Sequence, residues 1–287
     1  MQPETAVNDG NLFVRMKPPV SPEQMVENMR SSLSRGLREI MFCHPHGRRL
    51  SIASGGPSLQ DTHWQLDGDV AAVNGSLGFL LDNGVVPYFC GVCDASEHMA
   101  DIVAADPRVR YLIASHVHPS LLDKLLDADC RVWLWHSSPR SLGTMDAETL
   151  LKAERPSTWL QIFGGCTIGL RMINIGHVLG YRDIALHGMD SSFRGDMSHA
   201  YGDRRNGEWA SNAGLEINGY RTSLNFLQQV SDFANTLERF SKPDVDPVKF
   251  TVYGDGLLQA TYAYWLDHAA EMGPVEAFQR FDASAAA

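Results

Sequence analysis

Between residues 49 and 136 the apolar positions alternate between two spacings. Short apolar runs at 50–53, 70–73, 87–92, 110–114 and 131–135 have the length and content of buried strands. The stretches between them follow helical spacing, most clearly over 76–83, where Leu77, Leu80 and Leu81 share a face. Ser76 is placed to cap that helix and Gly84 to stop it. Strands alternating with short helices predict a parallel sheet with right-handed crossovers. Farther on, Ile168, Met172, Ile175 and Leu179 mark a helix over 167–179, followed by a strand at 182–186. Leu215-Glu216-Ile217 with Asn218-Gly219 predicts a hairpin turn. A helix over 222–239, a strand at 249–253 and a terminal helix from Leu257 complete the core.

The polar stretches divide this pattern. Residues 1–20 read as a draped arm. Ser21-Pro22-Glu23-Gln24 then starts a helix running to about Gly36, with Ser as N-cap and Pro in the first position. Residues 137–158 are rich in Ser, Pro, Thr and Gly and suit a long loop or a join. The polar run 190–212 is too long for a plain connection and is a functional-loop candidate. The fold expected is α/β: a Rossmann-like, mostly parallel sheet flanked by helices, with an N-terminal helical arm. Its divisions would be 1–48 for the arm and helix, 49–270 for the nucleotide-binding transferase domain, and 271–287 for a C-terminal helix and tail.

Composition narrows the partners. With 287 residues, 44% of them hydrophobic and 20% charged, a sizeable core is available. A net charge of −10 without a long basic run argues against a duplex nucleic-acid binder. No apolar run reaches the roughly 18–20 residues needed to span a bilayer, and the first residues lack a signal-peptide core. The five cysteines are odd in number, and Cys90-Gly91-Val92-Cys93 has no second pair at zinc-site spacing. Reduced core thiols and a cytoplasmic address are expected.

Chemistry concentrates where strands end, since ligands of open parallel sheets bind at the strands' carboxyl ends. The first such place is Ser54-Gly55-Gly56-Pro57-Ser58-Leu59, between an apolar strand and a helix start. Gly55 and Gly56 let backbone approach a ligand, Pro57 suits a first helical turn, and N–H groups at a helix start attract phosphate. Asn74, Asp94, His116, His136-Ser137-Ser138, Gly188 and Asp190 occupy the same position after other strands. Each is also an ordinary turn former or cap. A second glycine-rich helix entry, Phe163-Gly164-Gly165-Cys166-Thr167-Ile168-Gly169, offers Gly164, Gly165 and the Thr167 hydroxyl, which can cap the helix or donate to a phosphate or sugar. Two such entries could grip a diphosphate, or a nucleotide and its acceptor, although neither a dinucleotide fingerprint nor a P-loop is present. Asp94 and Asp190 could hold Mg²⁺ with phosphates, orient a sugar hydroxyl, or merely cap a turn. His199, in the polar loop, suits a general base, and Arg194, Arg204 and Arg205 lie close to it in sequence. The pairs His44/His46 and His116/His118 lack a third ligand and are read as structural.

In order and spacing these pieces resemble the family that groups the flagellar motility accessory factors with archaeal 6-hydroxymethylpterin diphosphokinases. The resemblance runs over about residues 49–240: the GxGPSL-like turn, Asn74-Gly75-Ser76, Asp94, the glycine entry at 164–169, Gly188-Met189-Asp190 and His199-Ala200. Ser54 replaces the usual first glycine. The turn, the post-strand Asn and the second entry are also similar to those of bacterial sialyltransferases that use CMP-sialic acid. That relation implies nucleotide contacts from Gly55, Gly56, Pro57, Ser58 and Asn74, phosphate or sugar contacts from Gly165 and Thr167, and His199 as base. The expected function is a nucleotide-dependent, glycosyltransferase-like enzyme with a nucleotide-sugar donor, CMP-nonulosonic acid in this relation, and a small-molecule or glycan acceptor. The alternatives are an ATP-dependent diphosphokinase acting on a pterin-like alcohol, with Mg²⁺ on Asp94 and Asp190, and a binding protein without turnover. In the transferase reading no metal or other cofactor is required. The sequence leaves the acceptor and the oligomeric state open.

Overall fold

The computed structural model describes residues 4–8, 11–15, 20–137, 160–202 and 214–283. In chain order the elements are β1 (Glu4–Asn8), β2 (Asn11–Arg15), α1 (Pro22–Ser34), β3 (Arg38–Glu39), β4 (His46–Ala53), α2 (Leu59–Thr62), β5 (Asp69–Val73), α3 (Ser76–Asp82) and β6 (Phe89–Val92). There follow α4 (Met99–Ile102), β7 (Arg110–Ala114), α5 (Pro119–Asp127), β8 (Arg131–Ser137), β9 (Gln161–Ile162), α6 (Ile168–Val178) and β10 (Tyr181–His187). The chain ends with β11 (Leu215–Ile217), β12 (Tyr220–Thr222), α7 (Leu224–Phe240), β13 (Lys249–Val252), α8 (Leu257–His268) and α9 (Pro274–Ala283).

Two compact units share these elements: 1–44 with 71–163, and 45–70 with 164–287. In the first, β5, β6, β7 and β8 pair in that order, all in parallel, and both β3 and β9 pair in parallel with β8. The interior of β7, Tyr111 to Ala114, has no exposed surface, as expected of a parallel strand covered on both faces. Helix α1 packs Met25, Val26, Met29 and Leu33 against Ala95. It also buries Asn28, whose amide donates to the carbonyls of Ala95 and His116 at 3.4 and 3.1 Å, so the strand-end loops are pinned to α1. In the second unit β13, β10 and β4 pair in parallel, with Leu50, Ile52, Ile184 and Leu186 fully buried. This is the α/β, Rossmann-like parallel architecture that the sequence pattern predicts.

Several local expectations change. Within the stretch read as an arm, β1 and β2 pair antiparallel with each other, in a two-stranded sheet of their own. Ser76 is the first residue of α3 rather than its cap. Its hydroxyl turns back to Val73, donating to the carbonyl and accepting from the N–H, both at 2.9 Å. Pro57 lies before the cap of α2, which spans only Leu59–Thr62. The helix from Leu257 ends at His268, and the C-terminal helix expected in 271–287 is α9. Cys43 is exposed, against the expectation of core thiols, while Cys90 and Cys130 are buried. Ser138, the loop 137–158 beyond Ser137, Arg204 and Arg205 fall outside the described residues. Among the described residues no helix is long and apolar enough to cross a membrane.

Candidate functional site

In the second unit β4 ends at Ala53 and the chain folds down onto the end of its neighbour β10. Ser54 N–H donates to the His187 carbonyl at 2.8 Å and Gly56 N–H to the Gly188 carbonyl at 2.6 Å. The fit at Gly56 is close: a Cβ there would lie 2.5 Å from Asp190 Oδ2 and 2.6 Å from the Gly188 carbonyl oxygen. Gly188 turns with φ +61, and a Cβ on it would lie 2.5 Å from the Ser54 carbonyl oxygen. Glycine at 56 and 188 therefore follows from two backbones crossing in contact.

Asp190 locks this crossing. Its carboxylate is buried and accepts from Ser58 N–H at 2.7 Å, from the Ser58 hydroxyl, and from Gln259 Nε2 at 3.1 Å. Burial raises its pKa, while the Ser58 hydrogen bonds work in the opposite direction. Two N–H groups that the sequence offers to a phosphate, those of Gly56 and Ser58, are thus taken internally. Among the described residues the Gly55 N–H has no acceptor, which leaves it as the remaining donor of the turn.

Over Gly55 comes the polar loop. Ala200 N–H donates to the Gly55 carbonyl at 2.9 Å, and Gln60 Nε2 donates to the Ala200 carbonyl at 2.7 Å. These bonds bring in two side chains, so that a Cβ on Gly55 would meet Tyr201 Oη at 2.7 Å and His199 Cδ2 at 2.9 Å. The two rings are 5.4 Å apart, and Ser198 Oγ lies 2.9 Å from His199 Nδ1, with the tautomer unassigned. Arg194 ties the loop to the rest of the unit, pairing with Asp61 at 2.5 Å and Asp255 at 2.8 Å. Sequence reasoning missed Tyr201. The His-x-Tyr spacing, which puts alternate side chains of an extended stretch on one side, is the signal that would have found it.

The second glycine entry belongs to the same unit. Gly164 and Gly165 have φ +83 and +75, and Thr167 caps α6 by accepting from Leu170 N–H at 3.4 Å. Gly169, in the first turn of α6, abuts Ser54, whose buried Oγ would be 2.5 Å from a Cβ there. That hydroxyl has no hydrogen-bond partner among the described residues. Asn74 and Asp94 belong to the other unit. Asn74 is left-handed at φ 48, its buried Oδ1 has no partner among the described residues, and its N–H donates to the Gly91 carbonyl at 3.1 Å. Asp94 accepts from Ser96 N–H at 2.9 Å and from its hydroxyl at 2.6 Å, a local turn. His136 contacts Ser115 Oγ at 3.0 Å and Glu39 at 3.3 Å within that unit. The structure therefore joins Gly55, Gly56, Ser58, Gly188, Asp190 and His199 in one place, with the second entry adjoining through Ser54.

His187, at the end of β10, is fully buried and stacks on Tyr253 at 4.3 Å between centroids. Burial lowers its pKa to about 4, outweighing the opposing pull of Asp67. In the unfolded chain a His protonates near 6.5, so acid favours unfolding as pH falls from about 6.5 to about 4. A shift from 6.5 to about 4 corresponds to a loss of about 3 kcal/mol across that window. The raised pKa of Asp190 contributes with the opposite sign, so the quantity to measure is the difference between wild type and His187→Phe in urea melts from pH 8 to 4. That difference should grow toward acid; a flat difference would contradict the assignment.

Residues 23–196 match the family profile described as 6-hydroxymethylpterin diphosphokinase MptE-like. Among curated protein sequences none matches at a significant level. Among solved structures, the MAf glycosyltransferase from Magnetospirillum magneticum AMB-1 is similar over 92% of this chain, with a TM-score of 0.57 and 13% identity. The chain spans 44% of that protein's length. The sialyltransferase CstII from Campylobacter jejuni, solved with cytidine-5'-monophosphate, is similar over 75% of this chain and 84% of its own, with a TM-score of 0.41 and 17% identity.

Proposed function

The chain belongs to the 6-hydroxymethylpterin diphosphokinase MptE-like family, and on that premise we propose that it is a nucleotide-dependent transferase of glycosyltransferase type. The observation that carries this reading is the placing of His199 and Tyr201 over Gly55. A turn that admits a ligand phosphate at a backbone N–H, with an imidazole directly beside it, suits transfer of a group from an activated nucleotide to a hydroxyl. The Gly55 N–H would hold the donor's phosphate, and its hydrogen bond would strengthen as negative charge grows on the leaving nucleotide. His199 would take the acceptor's proton as its oxygen attacks the donor carbon. Asp190 would act as a positioning residue, holding the turn through Ser58. The donor is a nucleotide-activated sugar, CMP-nonulosonic acid by the resemblance of the motifs, and the acceptor is a small-molecule or glycan hydroxyl.

The family description also raises diphosphokinase chemistry, which needs Mg²⁺ between phosphate oxygens. Both Asp190 oxygens already accept from Ser58 and Gln259, which commits that carboxylate to holding the turn, while Asp94 accepts from Ser96 through Oδ1 alone and belongs to the other unit. No step is therefore assigned to a metal. Thermal-shift screening with CMP, CDP, UDP, GDP, AMP and ATP, each with and without Mg²⁺, separates the readings. CMP stabilisation indifferent to Mg²⁺ is expected. Stabilisation by ATP that requires Mg²⁺ would transfer the assignment to the diphosphokinase, and silence from every nucleotide would remove both. Binding without consumption of any donor would leave a carrier protein.

A further inference from the structure

The amino ends of β6, β7 and β8 carry a feature that the transferase reading does not use. Arg110, the first residue of β7, lies over two aromatic rings, its Cζ 4.7 Å from the Tyr88 centroid and 4.4 Å from the Trp133 centroid. A guanidinium held in this way keeps its donors in its own plane. There Nη1 donates to Tyr88 Oη at 2.8 Å and Nε is buried, which leaves Nη2 as the remaining donor. Strand register sets two more arginines beside it. Arg131 stands opposite Arg110 on β8, and Arg38 on β3 stands opposite Trp133, two residues along the same face from Arg131. Arg38 and Arg131 are exposed, and Arg110 is half-buried. Among the described residues none of the three has an ion pair, whereas Arg108, whose carbonyl accepts from Arg131 at 2.9 Å, pairs with Asp106 at 2.5 Å. In a chain of net charge −10, three arginines without carboxylates on one sheet face are a local excess of positive charge.

We propose that this face is a docking surface for an acidic segment of a partner protein. Trp, Tyr and Arg are the side chains that carry most of the binding energy at protein interfaces. An arginine already stacked on rings has little side-chain freedom left to lose when a carboxylate arrives. The charges are spread over three neighbouring strands, roughly 10 Å, which suits carboxylates spaced along a chain and not one small anion. A second copy of this chain fits badly, because a two-fold dimer sets the same patch on both sides and would oppose arginine to arginine. Single-stranded nucleic acid fits badly as well, since Arg110 already covers a face of each ring on which a base would stack. The surface belongs to the unit that does not carry the Gly55 turn, so it stands or falls apart from the transferase reading.

The test is fluorescence anisotropy of labelled decaglutamate with the intact chain, set beside a labelled thymidine decamer. The variants are Arg131→Glu, Arg131→Lys and, as a control with the same charge change outside the patch, Arg30→Glu. Wild type should bind decaglutamate, and more weakly as salt rises. Arg131→Glu should weaken binding at least about tenfold, Arg131→Lys should stay within about threefold, and Arg30→Glu within about twofold. Both side chains are exposed, so the reversals leave the fold in place, and Arg38→Glu is a second reversal with the same expectation as Arg131→Glu. Binding unchanged in Arg131→Glu, or lowered equally in Arg30→Glu, would put the attraction elsewhere and overturn the proposal. A thymidine decamer bound as tightly as decaglutamate would reassign the face to nucleic acid. No decaglutamate bound by wild type overturns the docking surface outright.

Discussion

Replacing His199 with alanine is expected to lower transfer by about 10²–10⁴-fold while nucleotide affinity stays within about threefold, the usual contribution of a positioned general base. The ring is placed for that role by backbone, not by its own reach. Ala200, the next residue, is tied to the Gly55 carbonyl, and Ser198 Oγ contacts Nδ1, so one flank of His199 is fixed on the turn and the other holds the ring. Steady-state rates with a CMP-sugar donor, set beside nucleotide titrations of the same variant, measure both effects. Turnover unchanged in the variant, with binding intact, would remove His199 as base. Tyr201→Phe is the companion, because it keeps the ring beside His199 and deletes only the oxygen above Gly55.

Gly56→Ala should cost about 2–4 kcal/mol and lower the melting temperature by about 5–15 °C, at the upper end of what overpacking costs. The new methyl would lie 2.5 Å from a carboxylate oxygen of Asp190 and 2.6 Å from the Gly188 carbonyl oxygen. Neither can retreat: the carbonyl accepts from Gly56 itself, and Asp190 is held by Ser58 and Gln259. Gly55→Ala makes the informative contrast, since its methyl meets the far ends of Tyr201 and His199 rather than backbone. It should fold nearly as wild type and lose activity by displacing those rings. A Gly56→Ala melt within about 2 °C of wild type would contradict the crossing of β4 and β10 ends described above.

The periodic parts of the sequence were legible because burial imposes them. β7 reads as a strand since both faces are covered, and α7 reads as a helix since Val230, Phe233, Ala234 and Leu237 return to one face. Local polar chemistry was legible where the partner is near in sequence, as at Thr167, which caps α6 as an ordinary N-cap does. What stayed hidden depends on remote partners. An aspartate after a strand looks the same whether it awaits a ligand or, like Asp190, is already engaged by residues 132 and 69 positions away. Asp232 gave no sign at all that it holds the Cys166 N–H: a polar residue in mid-helix reads as a solvated face until the turn it reaches, 66 residues earlier, is folded against it. His199 was found through its loop, while Tyr201, two residues on, passed as a loop aromatic.

The Asp190 hub also bears on how the molecule is made. The glycine turn emerges early from the ribosome, yet its lock needs Asp190, which comes 132 residues later, and Gln259, another 69 beyond that. Leu258 N–H closes the same junction on the Asp190 carbonyl at 3.1 Å. Contacts so distant along the chain carry a large loop-closure cost and form late. During synthesis the 54–58 turn is therefore an open segment. The contacts of Ser54, Gly56 and Ser58 can close once His187, Gly188 and Asp190 have been made, and Leu258 and Gln259 complete the junction last.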